Sequence, residues 1–263
     1  MTEHTPLFFQ AVPDIWAGIV TSVQEIWADI SAQFTQSFIA DDRWLSMLKG
    51  VGITLEVAAL ALVIGIILGV AVATIRSAHD QAQLRPGLGK SLLGFFNAIC
   101  KVYITVIRGT PIMVQLLIMN FVILISTRNL VLVAVLTFGI NSGAYVAEIV
   151  RSGIMSIDPG QMEAGRSLGL SYSVTMLRII IPQALKNILP ALGNELIALL
   201  KETSIVTVIG LRDLTKAAIN IQAVTYQAFM PLVGAALIYL AMVMLLSYLL
   251  GKLERRLRQS DSH

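Results

Sequence analysis

The chain reads as long apolar runs broken by short polar joints, and the spacing inside each run decides what it forms. In the first 42 residues Ile15, Ile19, Val23, Ile26, Ile30, Phe34 and Phe38 recur every three or four positions, opposed by Asp14, Gln24 and Asp29, with Trp16 and Trp27 nearby. That period predicts an amphipathic helix lying on the outer face, not one crossing the bilayer; a poorly ordered tail is the alternative. No Lys or Arg precedes Arg43. The positive start and small-residue end of a cleavable signal peptide are therefore missing.

Beyond it, about five stretches predict spans. The uncharged run from Val57 to Ile75, entered through the polar joint from Arg43 to Gly52, is long enough to cross. It ends at Arg76, Arg85 and Lys90, around a short loop with Pro86, Gly87 and Gly89. Residues 91–107 are apolar but interrupted by Asn97 and Lys101, then broken at Gly109 and Pro111. They predict an in-plane or partly embedded helix leading into a second span from Pro111 to Thr127. Arg128 marks an outer turn, and a third span runs from Asn129 to Ala147, reaching Glu148 and Arg151. A fourth, from about Asn187 to Thr207, is the least apolar because Glu195, Lys201 and Glu202 fall inside it. A loop from Leu211 to Tyr226 carries Arg212, Asp213 and Lys216, and the last span, about Met230 to Gly251, ends at Lys252, Arg255, Arg256 and Arg258.

This arrangement places all but six of the 19 Lys and Arg on or near one side, the exceptions being Arg43, Lys49, Arg128, Lys201, Arg212 and Lys216. Positive charge is enriched on the cytoplasmic side, so the pattern predicts an outer N-terminus and an inner C-terminus. The organisation is an amphipathic segment over 1–43, a transmembrane unit over 44–252 and a basic cytoplasmic tail over 253–263. Composition agrees: 56% of the 263 residues are hydrophobic and only 13% charged, with mean hydropathy +0.77. Soluble domains carry about 25% charged residues. The net charge of +3, without basic residues clustered among aromatics, argues against nucleic acid. Cys100 has no partner for a disulfide, and His4, His79 and His263 stand apart, so no metal site or cofactor is expected.

One stretch is built to be gripped. Asp158 before Pro159 is a helix start, with Gln161 three residues on. Gly169 supplies the left-handed conformation that closes the helix, and Ser171 caps a second one, with Val174, Leu177, Ile181 and Leu185 at helical spacing. A helix, a sharp turn and a second helix form a rigid knob. Glu163, Ala164, Gly165, then Gly169, then Ile179, Ile180, Ile181 and Pro182 resemble the EAA motif of permease subunits in ATP-binding-cassette (ABC) importers. The motif usually has Ala where Gly165 stands and Leu where Ile181 stands. The resemblance implies an all-α integral membrane protein with the type I importer permease fold, a cytoplasmic coupling helix, and an ATPase-coupling surface made of Glu163, Ala164, Gly165, Arg166, Leu168 and Gly169. Gly165 would allow close approach by the partner.

Polar groups inside the spans mark the second candidate site. Asn141, Tyr145 and Glu148 share one helical face of span three. Glu195, Lys201 and Glu202 lie in span four, where Lys201 pairs with Glu202 or reaches Glu195; they either fasten the span or serve solute passage. Arg108-Gly-Thr-Pro111 with Val114-Gln-Leu116, Asn141 to Tyr145 with Glu148, and Lys201-Glu202-Thr203-Ser204 resemble the polar amino acid branch of these permeases. The resemblance covers about residues 44 to 258. These segments and the intramembrane Glu195 together give the candidate substrate pathway: Asn141, Tyr145, Glu148, Glu195, Lys201, Glu202, Thr203 and Ser204. Implied partners are two ABC ATPase subunits, a second permease subunit, an extracytoplasmic solute-binding protein and a polar amino acid. No GxxxxGK[ST] loop is present, so ATP chemistry belongs to the separate subunit and this chain is not itself an enzyme. Methionine or a metal chelate is the alternative solute. An ion-coupled secondary transporter using Glu195 or Glu202 is another class, and a membrane enzyme with Glu148, Glu195 or Glu202 as general base a third, which the lack of any triad, HExxH or Cys/His cluster in the sequence argues against.

Overall fold

The computed structural model describes residues 7–81 and 88–259, and every regular element among them is a helix. The loop with Arg85, Pro86 and Gly87, the residues His4 and His263, and the side chains of Asp14, Ile15, Ile19 and Arg258 lie outside what it describes.

The centre of the fold is a pair of helices, α2 (Arg43–Gln81) and α5 (Leu130–Met155). Their contacts climb together: Ile64 meets Gly139, Leu68 meets Gly143, Gly69 meets Val146, and Asp80 bonds Arg151. The two helices therefore run in the same direction. Small residues make this possible, since a Cβ on Gly69 would stand 2.5 Å from Val146 Cγ1 and one on Gly139 2.7 Å from Ile64 Cγ2. Lipid gives no hydrophobic drive between helices, so close backbone approach and dispersion hold such a pair. Val57, Ala61, Leu116, Val133, Phe138 and Leu199 fill the core around it.

Where one self-contained second span was expected, the structure divides the work. α3 (Leu88–Gly109) is a continuous helix of 22 residues whose Tyr103, Ile104 and Ile107 pack with Ala144, Ala147 and Val72. After a break at Thr110 and Pro111 come α4 (Ile112–Ile118) and a π-turn to Ile123. Twelve residues reach only about 18 Å, against roughly 30 Å of hydrocarbon. The stretch from Pro111 to Thr127 therefore does not span by itself. The packed half of α3 completes it, and residues 91–107 are part of the bundle.

α5 begins on the side chain of Asn129, which accepts from Leu132 N at 3.0 Å, and is followed by the corner α6 (Pro159–Ser167) and α7 (Tyr172–Thr175). A π-turn over Met176–Ile180 carries the chain without a gap into α8 (Ile181–Glu202), which passes into a 3₁₀ turn, Thr203–Ile209, closed by Gly210 at φ +86°.

The expected loop from Leu211 to Tyr226 is mostly helix. α9 (Leu214–Thr225) starts on Asp213, whose carboxylate accepts from Thr215 N (3.1 Å) and Lys216 N (2.9 Å). Leu214, Ala217, Ala218 and Ile221 are buried against Met47 and Ala235. α10 (Phe229–Gln259) closes the chain. At the other end, α1 (Leu7–Phe34) is helical as expected and is separated from α2 by short turns in which Asp41 and Asp42 have φ of 53° and 51°.

Candidate transport cavity and coupling corner

The break between α3 and α4 is a built joint. Pro111 has no N–H to donate, so carbonyls at the end of α3 lack helical partners. Gln115 supplies them: its Nε2 donates to Ile107 O at 2.8 Å, Thr110 O at 3.1 Å and Thr110 Oγ1 at 2.8 Å. Its Oε1 accepts from Asn141 Nδ2 at 3.0 Å, which fixes the joint to α5.

The joint aims Arg108. Its guanidinium pairs with the Glu148 carboxylate and lies 5.0 Å from the centre of the Tyr145 ring, so Arg108 is held by an ion pair and a cation–π contact together. Across from it, Glu195 on α8 accepts a hydrogen bond from Ser142 Oγ at 2.7 Å. Arg108, Tyr145, Glu148 and Glu195 line an open cavity of about 420 Å³ between α3, α5 and α8, with Ser152, Ser156 and Asn187 toward its other end. Asn187 Nδ2 donates to Ser156 Oγ at 2.8 Å there.

Of the residues expected on a substrate pathway, Tyr145, Glu148 and Glu195 meet in this cavity. Asn141 is buried beside it, committed to Gln115. Lys201, Glu202, Thr203 and Ser204 lie outside its lining, at the end of α8 where the 3₁₀ turn begins. Among the described residues no ion pair joins Lys201 to Glu195 or Glu202. Thr203 is buried, its hydroxyl donating to Leu200 O at 2.7 Å. Sequence reasoning left Arg108 and Gln115 off the pathway. A cation and an amide flanking a Gly-Thr-Pro break in an otherwise apolar stretch were the available signal.

The corner forms as its sequence dictates. Asp158 Oδ1 accepts from Gly160 N at 2.8 Å, Pro159 is the first residue of α6, and Gly169 adopts φ +77°. Leu170 N then returns to Gly165 O at 3.1 Å and Ser171 Oγ accepts from Val174 N at 3.4 Å. Glu163, Ala164, Arg166, Leu168 and Gly169 are exposed, Leu168 at 80%. Gly165 is not: it is buried, and a Cβ there would lie 2.6 Å from Thr175 Cγ2. The close approach it allows is that of this chain's own second helix. Beside the corner, a cleft of about 1010 Å³ is lined by Asp80, Met155, Met162, Glu163, Arg166 and Tyr172. Burial works against the charged form of Asp80, but the bond from Arg151 and the adjacent His79 outweigh it and leave the carboxyl below its ordinary value.

A helical bundle with a capped two-helix corner at one end and an open, charged cavity between its helices has the architecture of a transport permease. Residues 88–259 match the family described as the inner membrane component of binding-protein-dependent transport systems, and the chain belongs to that family. It is a multi-pass inner membrane protein. Among its relatives, the arginine transport system permease protein ArtQ of Bacillus subtilis is 40% identical over 218 residues, covering 82% of this chain and 94% of that one. The glutamine transport system permease protein GlnP of Escherichia coli is 36% identical over 217 residues, covering 81% and 93%. A solved amino acid ABC transporter with histidines superposes with TM-score 0.71 at 43% identity, over 80% of this chain and 94% of that one. The MetNI methionine transporter in an inward-facing conformation matches at TM-score 0.69 and 17% identity, over 83% and 99%, a likeness of fold alone.

Proposed function

We propose that this chain is the membrane-spanning subunit of an ATP-driven importer for a polar amino acid, with a cationic side chain favoured. The observation that carries this reading is one guanidinium and two carboxyl groups facing a single cavity: Arg108, Glu148 and Glu195. An amino acid presents a carboxylate, which the planar fork of Arg108 suits, and an ammonium, which Glu148 suits. Without solute the two protein charges neutralise each other. A zwitterion exchanges one ion pair for two. Glu195 is the surplus acid and favours a solute carrying a further positive charge. Relatives named for arginine and glutamine, and a related structure holding histidines, support the same class.

In this reading ATPase subunits dock on the exposed face of Glu163, Ala164, Arg166, Leu168 and Gly169, while Gly165 sets the angle of that knob from inside. Closure of the ATPases moves the corner, and α5 and α8, joined directly to it, carry the motion to the cavity as a two-state switch. A second permease subunit completes the pathway, which continues past Asn141 to Lys201, Glu202, Thr203 and Ser204, and a solute-binding protein delivers the amino acid on the outer side. The N-terminus is outside and the basic C-terminal tail in the cytoplasm.

The test is uptake by the chain reconstituted in proteoliposomes with its ATPase, companion permease and binding protein, comparing labelled arginine, glutamine and methionine. ATP-dependent uptake, strongest for arginine and indifferent to a protonophore, is expected. Uptake driven by an ion gradient without ATP, or a preference for methionine, would overturn it.

A further inference from the structure

We propose that α1 lies in the plane of the membrane, within the headgroup layer of the leaflet at the α9–α10 end of the molecule, fixed there by a hydrogen-bonded elbow. The helix precedes the region matched by the family model, and transport as read above does not employ it.

Every described side chain from Trp16 to Ala32 is exposed, so α1 stands off the bundle. Trp16, Val20, Val23, Trp27, Ile30 and Phe34 follow one another at steps of four and three, forming a single stripe. With Ile26 the apolar arc is about 120° wide, broader than the narrow seam of a coiled coil. Glu25 and Asp29 occupy the opposite face, where Asp29 accepts from Gln33 Nε2 at 2.8 Å.

The elbow decides where this stripe can go. At residues 40–42 the backbone leaves helical geometry, which ends the α1 axis before α2 begins. The bend is held from both sides. Arg43 bonds Gln36 O and, at 2.6 Å, Asp41 Oδ2, while Gln227 Nε2 donates to Gln36 Oε1 at 2.7 Å from the α9–α10 joint. Phe38 seats on Gly234, where a Cβ would stand 2.6 Å from Phe38 Cζ. α1 is thus tied at its C-terminal end to the place where both α2 and α10 begin.

That place is a membrane boundary. All three Trp of the chain, Trp16, Trp27 and Trp44, fall on α1 and the first turn of α2, and each is exposed, at 63%, 67% and 46%. Exposed Trp collects at the bilayer–water interface, where its apolar ring and its N–H are both satisfied. Residues 16–42 contain no Lys or Arg, but do contain Glu25, Asp29, Asp41 and Asp42. Attraction to anionic lipid therefore contributes nothing, and burial of the stripe about 5–10 Å into the headgroup and acyl boundary must hold the helix.

The experiment uses the full chain in proteoliposomes with Trp44→Phe, so that only Trp16 and Trp27 report. Bromine placed near the carbonyl end of the acyl chains should quench the emission at least twofold more than bromine near the chain ends. Acrylamide should quench it several-fold less than free tryptophan. Neither result should change in 1 M NaCl or when phosphatidylglycerol replaces phosphatidylcholine. Stronger quenching from the deep bromine would mean that α1 spans the bilayer. Acrylamide access without lipid quenching would mean that it stands in water, and protection from both probes that another protein helix covers it. Any of these overturns the proposal. Wild-type chain with all three Trp provides the same comparison should Trp44→Phe insert poorly. ATP-dependent uptake by separate liposomes that also hold the ATPase, companion permease and binding protein tests the transport reading independently.

Discussion

Gly165 and Thr175 hold the two helices of the coupling corner together: a Cβ at position 165 would stand 2.6 Å from Thr175 Cγ2, 2.7 Å from Oγ1 and 3.2 Å from Cβ. The corner is therefore a packed unit, closed from inside by a glycine and rigid enough to be pushed as one piece.

Gly165→Ala accordingly harms this chain, although Ala is a good helix former and stands at that position in the motif it resembles. Overpacking of this kind costs about 1–3 kcal/mol. We expect solute-stimulated ATP hydrolysis by the assembled transporter to fall several-fold. Adding Thr175→Ala removes both contacts under 3 Å, leaves only the 3.2 Å one, and should restore most of the activity. If the single variant behaves as wild type, or the double variant is worse than the single, the corner is not closed by this contact.

The cavity makes a separable prediction. Arg108→Gln removes the only cation lining it among the described residues and should lower arginine and glutamine uptake alike, by ~10-fold or more, the scale of one charged hydrogen bond. Glu195→Gln leaves the Arg108–Glu148 pair intact and should lower arginine uptake while sparing glutamine. Competition between the two labelled solutes reads this directly. Equal losses for both would remove Glu195 from any role in selecting charge.

The corner was legible residue by residue, because Asp158, Pro159, Gly169 and Ser171 act through their own backbone neighbourhood. The cavity was not. Arg108 and Glu148 are separated by 40 positions, and Ser142 and Glu195 by 53. Helical spacing shows which residues share a face, but not which faces meet. Gly165 illustrates the same limit, since only packing identifies Thr175 as what needs the space. α9 is a different case. Asp213 followed by Leu214, Ala217, Ala218 and Ile221 is a capped amphipathic helix in plain sequence, obscured by reading Arg212, Asp213 and Lys216 as the charges of a loop.

The seat of α9 on α2 predicts an asymmetry between two nearby glycines. A Cβ on Gly50 would meet Asp213 O, Leu214 Cα and Leu214 N, each at 2.8 Å, whereas one on Gly52 meets nothing within 4 Å. Backbone cannot step aside as a side chain can. Gly50→Ala should lower the thermal midpoint of the detergent-solubilised chain by several degrees, and Gly52→Ala should leave it unchanged or slightly raised. Equal effects would contradict the packing of α9 described above.

Asp213 itself links that helix to pH. It is completely buried, caps α9 through two backbone N–H groups and accepts from Tyr239 OH at 3.2 Å. Burial pushes its carboxyl above the ordinary aspartate value, and the bonds from Lys216, Thr215 and Tyr239 offset only part of that. A carboxyl whose folded pKa is raised favours folding most when protonated. Its contribution is therefore full below about 3.8, the unfolded value, and is lost as pH rises through the folded one. Asn presents one acceptor oxygen where the carboxylate uses two, so it keeps one of the two backbone bonds, and it carries no charge to bury. Asp213→Asn should therefore flatten the pH dependence of stability and cost less than Asp213→Ala, which loses the whole cap, about 1 kcal/mol. Thermal unfolding between pH 4 and about 8 distinguishes these outcomes. If Asp213→Asn keeps the wild-type pH dependence, burial does not govern the charge at this position.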